Sequence, residues 1–170
     1  MTTIAYKANV MACDSAWTDC HECVSTLLNK ITRLTSGAVL GEAGDNDSRA
    51  VRALLDKVKS YDRLPTAKDL AETHVDYAAL IAFQNGEVAQ IIIDHDKDKG
   101  WSAQVFKCNR GFAAVGSGGE MAIGFMGANR SAAEAVNFAC GWDPNSKLPV
   151  HTMQVRQWKK KPGRTRPHSA

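Results

Sequence analysis

The sequence predicts an α+β fold in which helices cover the outside of packed β-sheets. Apolar and alternating runs typical of strands come first, then two helical segments, more strands, two more helices and a last strand. Asn85-Gly86 between two apolar runs predicts a β-hairpin with a two-residue turn. Ser131-Ala132-Ala133-Glu134 has the pattern of a capping box and predicts the start of a helix.

The first half of the chain is expected to form paired strands followed by helices. The predicted strands are residues 2–7, 10–13, 30–34 and 38–44. Asp45 or Asp47 is expected to cap a helix that continues to about Lys59. Its apolar face is formed by residues at helical spacing: Ala50, Val51, Leu54, Leu55 and Val58. Pro65-Thr66, with Asp69, predicts a second, short helix.

The second half repeats this order. Strands are predicted at residues 77–84, 87–93, 101–107, 112–115 and 150–155. Helices are predicted from Glu120 to Ala128 and from Ser131 to Cys140, with a turn at 143–146 between the last helix and the last strand.

Length and composition indicate one globular domain. The chain has 170 residues, of which 44% are hydrophobic and 23% charged, enough for a real core. No apolar run approaches the roughly 18–20 residues that span a bilayer. A basic segment followed by an apolar one, as in a secretory signal, is not seen. We therefore expect a cytoplasmic protein without membrane contact.

The charge divides the chain into a mildly acidic body and a basic tail. Residues 156–170 carry six basic residues and no acid, so of the total of +3 the remaining residues 1–155 carry −3. The tail is also rich in proline and is expected to be disordered. It is either a solubilising segment or an arm that binds nucleic acid or an acidic partner through its charge.

The cysteines do not indicate a metal or redox site. Cys20-His21-Glu22-Cys23 has two cysteines at close spacing, but zinc takes four ligands and no second Cys/His pair lies at a matching distance. We interpret this cluster as structural and predict no metal and no cofactor. Without a secretory signal the five thiols are expected to be reduced. Three of them are interpreted as small buried hydrophobes: Cys13, Cys108 and Cys140.

The first residues carry the chemistry of a self-activating nucleophile. Removal of Met1 leaves Thr2 with a hydroxyl and a free α-amine in one residue. An unperturbed α-amine has a pKa of about 7.7–8, so near neutral pH part of it is an available base. Threonine paired with its own N-terminal amine is an established way to activate a weak nucleophile.

Spaced landmarks along the chain then resemble one known family. They are Thr2-Thr3-Ile4, Asp14, Lys30, Ala43-Gly44, Gly116-Ser117-Gly118-Gly119 and Asp143-x-x-Ser146. In this order they resemble the proteasome β-subunit family and its simpler bacterial relative HslV, which are N-terminal nucleophile hydrolases. The resemblance extends from Thr2 to about Val155. It implies a four-layer α-β-β-α sandwich and a threonine peptidase.

The resemblance also implies a role for each landmark. Lys30 as an ammonium would favour ionisation of the Thr2 hydroxyl, and Asp14 would keep Lys30 charged and oriented. The amide of Gly44 would stabilise the oxyanion. Three further residues would hold the α-amine and relay protons: Ser117, Asp143 and Ser146. Lys147-Leu148 departs from the glycines usual in proteasome subunits after this serine.

Substrate and partners follow from the same resemblance. Glu42 resembles the residue that shapes the primary specificity pocket, and an acid there would favour basic side chains before the cleaved bond. A peptide or unfolded protein is the expected substrate, inside a homo-oligomeric ring served by an ATPase unfoldase. The alternative is a catalytically silent, proteasome-like ring used in assembly, for example in a phage particle, with the basic tail as its binding arm.

Overall fold

The computed structural model describes residues 2–19, 22–26, 28–44 and 48–156, so Met1 and the tail from 157 onward lie outside the described residues. The strands are β1 (Thr3–Lys7), β2 (Val10–Cys13), β3 (Trp17–Asp19), β4 (Glu22–Ser25), β5 (Ile31–Arg33), β6 (Val39–Gly44), β7 (Tyr77–Ala82), β8 (Val88–Asp96), β9 (Gly100–Lys107), β10 (Phe112–Gly116) and β11 (His151–Gln154). The α-helices are α1 (Arg49–Leu55), α2 (Ala67–Ala71), α3 (Gly119–Gly127) and α4 (Ala132–Trp142), with a 3-10 turn at Tyr61–Arg63.

Two antiparallel sheets form the middle of the molecule. The first sheet has the order β10-β1-β2-β11 and the second sheet the order β5-β6-β7-β8-β9, while β3 and β4 pair with each other. In the first sheet Thr3 lies opposite Gly116 and Ile4 opposite Cys13. This register places the first described residues of the chain on a central strand rather than at an edge.

Three apolar clusters hold four layers together. One lies between the two sheets and includes Ile4, Met11 and Leu80. The second joins α3 and α4 to the first sheet, and the third joins α1 and α2 to the second sheet. Each sheet is therefore covered on both faces, which is the predicted α-β-β-α sandwich. None of the helices in the described part of the chain is long and apolar enough to cross a membrane.

The two sheets approach most closely at a glycine on β6. A Cβ atom on Gly41 would lie 2.6 Å from Ile4 Cγ2 and 2.8 Å from Met11 Sδ. Both neighbours are fully buried, so neither side chain has room to move away. Glycine at this position therefore sets the distance between the sheets beneath β1.

The prediction for the first helix was wrong at both ends. The helix begins at Arg49 after Ser48 rather than being capped by Asp45 or Asp47, and it ends at Leu55 instead of Lys59. The Asp56 carbonyl accepts hydrogen bonds from the Ser36 amide and the Thr35 hydroxyl, so it does not continue the backbone hydrogen bonds of the helix. Only part of the predicted apolar face is buried: Val51, Leu55 and Val58.

The hairpin at Asn85-Gly86 is present, but its turn has three residues. The Gly86 amide donates to the Phe83 carbonyl at 3.0 Å, and the Phe83 amide donates to the Glu87 carbonyl at 2.8 Å. Gly86 has φ +90° whereas φ of Asn85 is not positive, so the turn is a type I turn followed by a left-handed glycine. The local sequence therefore predicts the hairpin correctly but not its turn type.

The predicted capping box at Ser131 is confirmed, and the helix predicted at Pro65-Thr66 also begins with a capping box. The Thr66 hydroxyl accepts from the Asp69 amide at the start of α2, and the Ser131 hydroxyl accepts from the Glu134 amide at the start of α4. In both helices the acidic side chain accepts a hydrogen bond from the backbone of the cap residue in return. Both helix starts are thus encoded locally.

We expect Gly41→Ala to lower the free energy of unfolding by about 1–3 kcal/mol, because the added methyl group overpacks the space between the sheets. The matched control is Gly124→Ala in α3, where nothing lies within 4 Å of the added Cβ. That variant should gain about 0.5–1 kcal/mol from helix propensity. Chemical denaturation of both variants measures the difference, and equal stability of the two would contradict the close approach.

Candidate active site

Thr2 lies immediately before β1, at the end of a strand that has neighbours on both sides. The residue is almost completely buried, with a relative exposure of 4%. The Thr2 hydroxyl accepts a hydrogen bond from the Lys30 ammonium. The structure therefore brings together two of the residues that the sequence placed in the site, although they come from different sheets.

Lys30 is held by a buried ion pair. Its Nζ lies 2.9 Å from Asp14 Oδ1, and the two side chains are 5% and 0% exposed. Desolvating two charges is costly unless their geometry and further hydrogen bonds compensate for it. Asp14 follows β2 of the first sheet and Lys30 precedes β5 of the second, so the pair joins the two sheets beside Thr2.

Asp14 is also held by the backbone. Its Oδ1 accepts from the Thr3 amide at 2.9 Å, and its Oδ2 accepts from the amides of Ala16 at 2.9 Å and Lys147 at 3.2 Å. These donors compensate for burial of the carboxylate. Lys147, which replaces a glycine of the family pattern, takes part through its backbone and so does not disturb this arrangement.

A second polar network lies behind β1. Asp143 Oδ2 accepts from the hydroxyls of Ser117 at 2.6 Å and Ser146 at 2.7 Å. The Ser146 hydroxyl lies 2.6 Å from Thr3 Oγ1, and the Ser117 hydroxyl lies 3.5 Å from the Thr2 carbonyl oxygen. The three residues predicted to stand behind the nucleophile are thus connected to one another and to the start of β1.

This network keeps Asp143 ionised. Burial raises the pKa of Asp143, but hydrogen bonds from Ser117, Ser146 and Asn145 together outweigh it and leave the pKa below its ordinary value. The Asn145 amide donates to Asp143 Oδ1 at 3.1 Å, which closes an Asx turn at the end of α4. Near neutral pH the network therefore carries a carboxylate that accepts hydrogen bonds.

The glycine turn after β10 fits closely against the start of the chain. Gly116 has φ +91°, and a Cβ there would lie 1.9 Å from the Thr2 carbonyl oxygen. Any other residue would therefore displace Thr2 or distort the turn. This close approach gives a structural reason for the first glycine of Gly-Ser-Gly-Gly.

Glu42 lies beside Lys30 but is already paired. Its carboxylate accepts from Arg52 Nη2 at 2.5 Å, Arg52 Nε at 3.4 Å and the Tyr77 hydroxyl at 3.0 Å. Glu42 is 9% exposed. Burial, together with the nearby Glu42 charge, raises the pKa of Tyr77 well above its ordinary value, so Tyr77 donates as a neutral phenol. The role of Glu42 in substrate binding stays a prediction.

Gly44 ends β6, opposite Tyr77 on β7, and is exposed. Its φ of +128° is a conformation that other residues rarely adopt. It lies two residues beyond Glu42, whose amide donates to the Lys30 carbonyl at 3.0 Å. Gly44 is therefore on the strand that borders the site, and its predicted role as the oxyanion donor stays a prediction.

The described residues contain no group of His, Cys, Asp or Glu side chains that could hold a metal ion. Cys20 and His21 lie outside the described residues, so the interpretation of that cluster stays a prediction. Cys13 is buried as expected, whereas Cys108 and Cys140 are only half-buried. Burial raises the pKa of the Cys13 thiol to about 11, so it remains protonated.

Sequence reasoning missed two residues that contact the site. Thr3 contributes its amide to Asp14 and its hydroxyl to Ser146, and only its position next to Thr2 hinted at this. Arg52 lies on α1, and no local pattern marks it as a partner of Glu42. Such partnerships depend on how α1 packs against β6.

Comparison with known proteins identifies the fold. No protein-family model and no curated protein matches the chain. Solved structures do match it. Thiobacillus denitrificans BPH has a TM-score of 0.59 and 18% identity, over 91% of this chain and 97% of that one. The same protein in complex with epoxomicin has a TM-score of 0.60 and 18% identity, over 91% and 98%. Eukaryotic HslV from Trypanosoma brucei has a TM-score of 0.63 and 18% identity, over 90% and 98%.

This chain has the HslV fold. The predicted four-layer α-β-β-α sandwich is thereby confirmed, and the match covers nearly the whole length of each neighbour. At 18% identity the likeness concerns the fold.

We expect Ser117→Ala to raise the pKa of Asp143, because a hydrogen bond to the ionised form is lost. A carboxylate with a depressed pKa stabilises the fold above its unfolded pKa of about 3.9 and loses that contribution as the pH falls through the folded pKa. The stability difference between wild type and variant, about 1 kcal/mol at pH 6, should therefore shrink toward pH 2. Carboxyl carbon NMR titration of Asp143 measures the pKa directly, and an unchanged value in the variant would contradict this network.

Proposed function

We propose that the protein is a threonine peptidase of the proteasome β-subunit and HslV family, with Thr2 as its nucleophile after removal of Met1. The observation that carries the proposal is the contact of Lys30 with both the Thr2 hydroxyl and the Asp14 carboxylate. A buried cation beside a hydroxyl favours the ionised oxygen in the transition state. A purely structural threonine has no need of such a partner.

The chemistry requires a base, an oxyanion donor and a proton path. The free amine of Thr2 takes the proton of its own hydroxyl as Oγ1 attacks the carbonyl carbon of a peptide bond. The amide of Gly44 stabilises the resulting oxyanion, and the proton passes to the leaving amine as the peptide C–N bond breaks. Water then hydrolyses the ester on Thr2. The network of Ser117, Asp143 and Ser146 positions the amine and relays the proton.

The arrangement supports peptide substrates and requires no metal or cofactor for this chemistry. Thr2 immediately precedes β1, and Gly44 lies at the end of β6, the strand adjacent to β5. A substrate backbone lying along β6 would bring its carbonyl between the two residues. Epoxomicin, with which the bacterial neighbour is complexed, offers a probe for the same geometry in this chain.

Intact mass spectrometry of the purified protein, with and without an epoxyketone such as epoxomicin, tests the nucleophile. We expect loss of Met1 and one inhibitor adduct per chain, located on Thr2 by peptide mapping. Thr2→Ala and Lys30→Ala should take no adduct, the second because the hydroxyl loses its cation. Since Lys30→Ala leaves Asp14 buried without its partner, circular dichroism must show that this variant is folded.

The control is Lys99→Ala, which removes an exposed lysine at the β8–β9 turn and should leave the adduct unchanged. Retention of Met1, or a free Thr2 that takes no adduct while Lys30 and Asp14 are intact, would contradict the proposal. That outcome would favour the silent ring component instead.

We further propose that copies of the chain assemble into a homo-oligomeric ring. The outer face of α3 and α4 carries an apolar patch, defined here as the patch of Met121, Phe125, Phe138 and Trp142. Phe125 and Phe138 stack at 4.4 Å, and Trp142 is 69% exposed. Apolar surfaces of this kind are typical of protein–protein contacts. An unfoldase and an unfolded-protein substrate would accompany such a ring.

We expect Trp142→Glu to shift the protein toward smaller species, because a charge is then buried in the contact between copies. Trp142→Phe retains the apolar character and should keep the assembly of the wild type. Size-exclusion chromatography with light scattering measures the mass. A wild-type protein that is monomeric at micromolar concentration would refute the ring.

A further inference from the structure

Glu42 and Lys30 are cross-strand neighbours, and Lys30 is the residue that contacts the proposed nucleophile. The Glu42 amide donates to the Lys30 carbonyl at 3.0 Å, so these two residues form the next opposing pair after Ile31 and Gly41. Residues that lie opposite each other in an antiparallel pair project to the same face, with Cβ atoms about 4.5–5.5 Å apart. Glu42 therefore lies directly opposite the lysine whose side chain contacts the Thr2 hydroxyl.

Arg52 is what covers Glu42. The Glu42 side chain is 9% exposed whereas that of Arg52, on α1, is 45% exposed. The carboxylate already accepts from two guanidinium nitrogens and from the Tyr77 hydroxyl. A basic substrate side chain would have to displace Arg52 and leave its guanidinium without this partner. The charge that an incoming side chain meets is therefore positive, not negative.

Arg52 also keeps donors for a ligand. A guanidinium has five N–H groups in a planar fork, and the pairing with Glu42 uses two of them. Among the described residues, none accepts from the remaining three. Glu42 fixes the guanidinium in place, so a carboxylate that binds it does not have to order a free side chain. A fixed guanidinium with free N–H groups is a receptor for a carboxylate.

We propose that Arg52 is a specificity-determining residue that selects acidic side chains, aspartate or glutamate, before the cleaved bond. The inference rests on the proposed peptidase function and deepens it. It reverses the preference for basic side chains that the acidic nature of Glu42 predicts from the sequence. The physical reason is that the Glu42 carboxylate holds the Arg52 side chain in place, and Arg52 is the partner in this ion pair that remains exposed.

Fluorogenic peptides that differ only in the residue before the cleaved bond test the proposal. With Glu, Leu and Arg reporters, we expect kcat/KM of the wild type to be about tenfold higher for Glu than for Arg, the factor that one charge-assisted hydrogen bond provides. Arg52→Gln should lower the Glu-to-Leu ratio by about tenfold. Arg63→Gln removes an exposed arginine in the 3-10 turn and should leave that ratio unchanged.

Arg52→Gln leaves the buried Glu42 carboxylate without its cation, so this variant could lose stability for an unrelated reason. Glu42→Gln combined with Arg52→Gln replaces the ion pair by two amides and should show the same loss of the Glu-to-Leu ratio. A wild-type preference for the Arg reporter, or a ratio that the double variant leaves intact, would overturn the assignment of Arg52. If no reporter is cleaved and Thr2 takes no epoxyketone, the peptidase function itself fails and the inference fails with it.

Discussion

The buried ion pair of Lys30 and Asp14 is the interaction on which the site depends. It links the end of β2 to the start of β5 and thereby ties the two sheets together next to Thr2. Removal of either partner would leave an uncompensated buried charge, which typically costs about 3–5 kcal/mol. Three backbone amides also donate to Asp14, so its burial is compensated on both oxygens. The pair fixes where the ammonium lies.

The packing of the sandwich keeps the Lys30–Asp14 pair buried and in place. β1 lies between β10 and β2, so the residue before it has little freedom to move. Above and below, apolar clusters fill the spaces between the layers. At Gly41 the sheets approach too closely for any side chain. A polar site at the edge of such a tightly packed core is rigid, which is the condition for electrostatic preorganisation.

Two networks converge on the first strand from opposite sides. Lys30 and Asp14 approach from the second sheet and the end of β2, whereas Ser117, Asp143 and Ser146 approach from the helix layer of α3 and α4. Thr3 connects them, because its amide binds Asp14 and its hydroxyl binds Ser146.

A third group, Glu42 with Arg52 and Tyr77, borders the same region from α1. The charges balance within the Lys30–Asp14 and Arg52–Glu42 ion pairs, and the Arg52 guanidinium is the most exposed of these four charged groups.

Local sequence was sufficient for features that depend on neighbouring residues. The strand alternation, the starts of α2 and α4 and the hairpin at Asn85-Gly86 could all be predicted, because each is stabilised by contacts within a few residues. The spaced landmarks also identified Thr2, Asp14 and Lys30 as a group, which the fold brings together. The limits of α1 and the turn type of the hairpin could not be predicted, since they depend on Thr35 and on strand pairing. The partners of Glu42 were decided by tertiary packing alone. They depend on how α1 and β6 meet through the core, and the order of charged residues along the chain does not predict that contact.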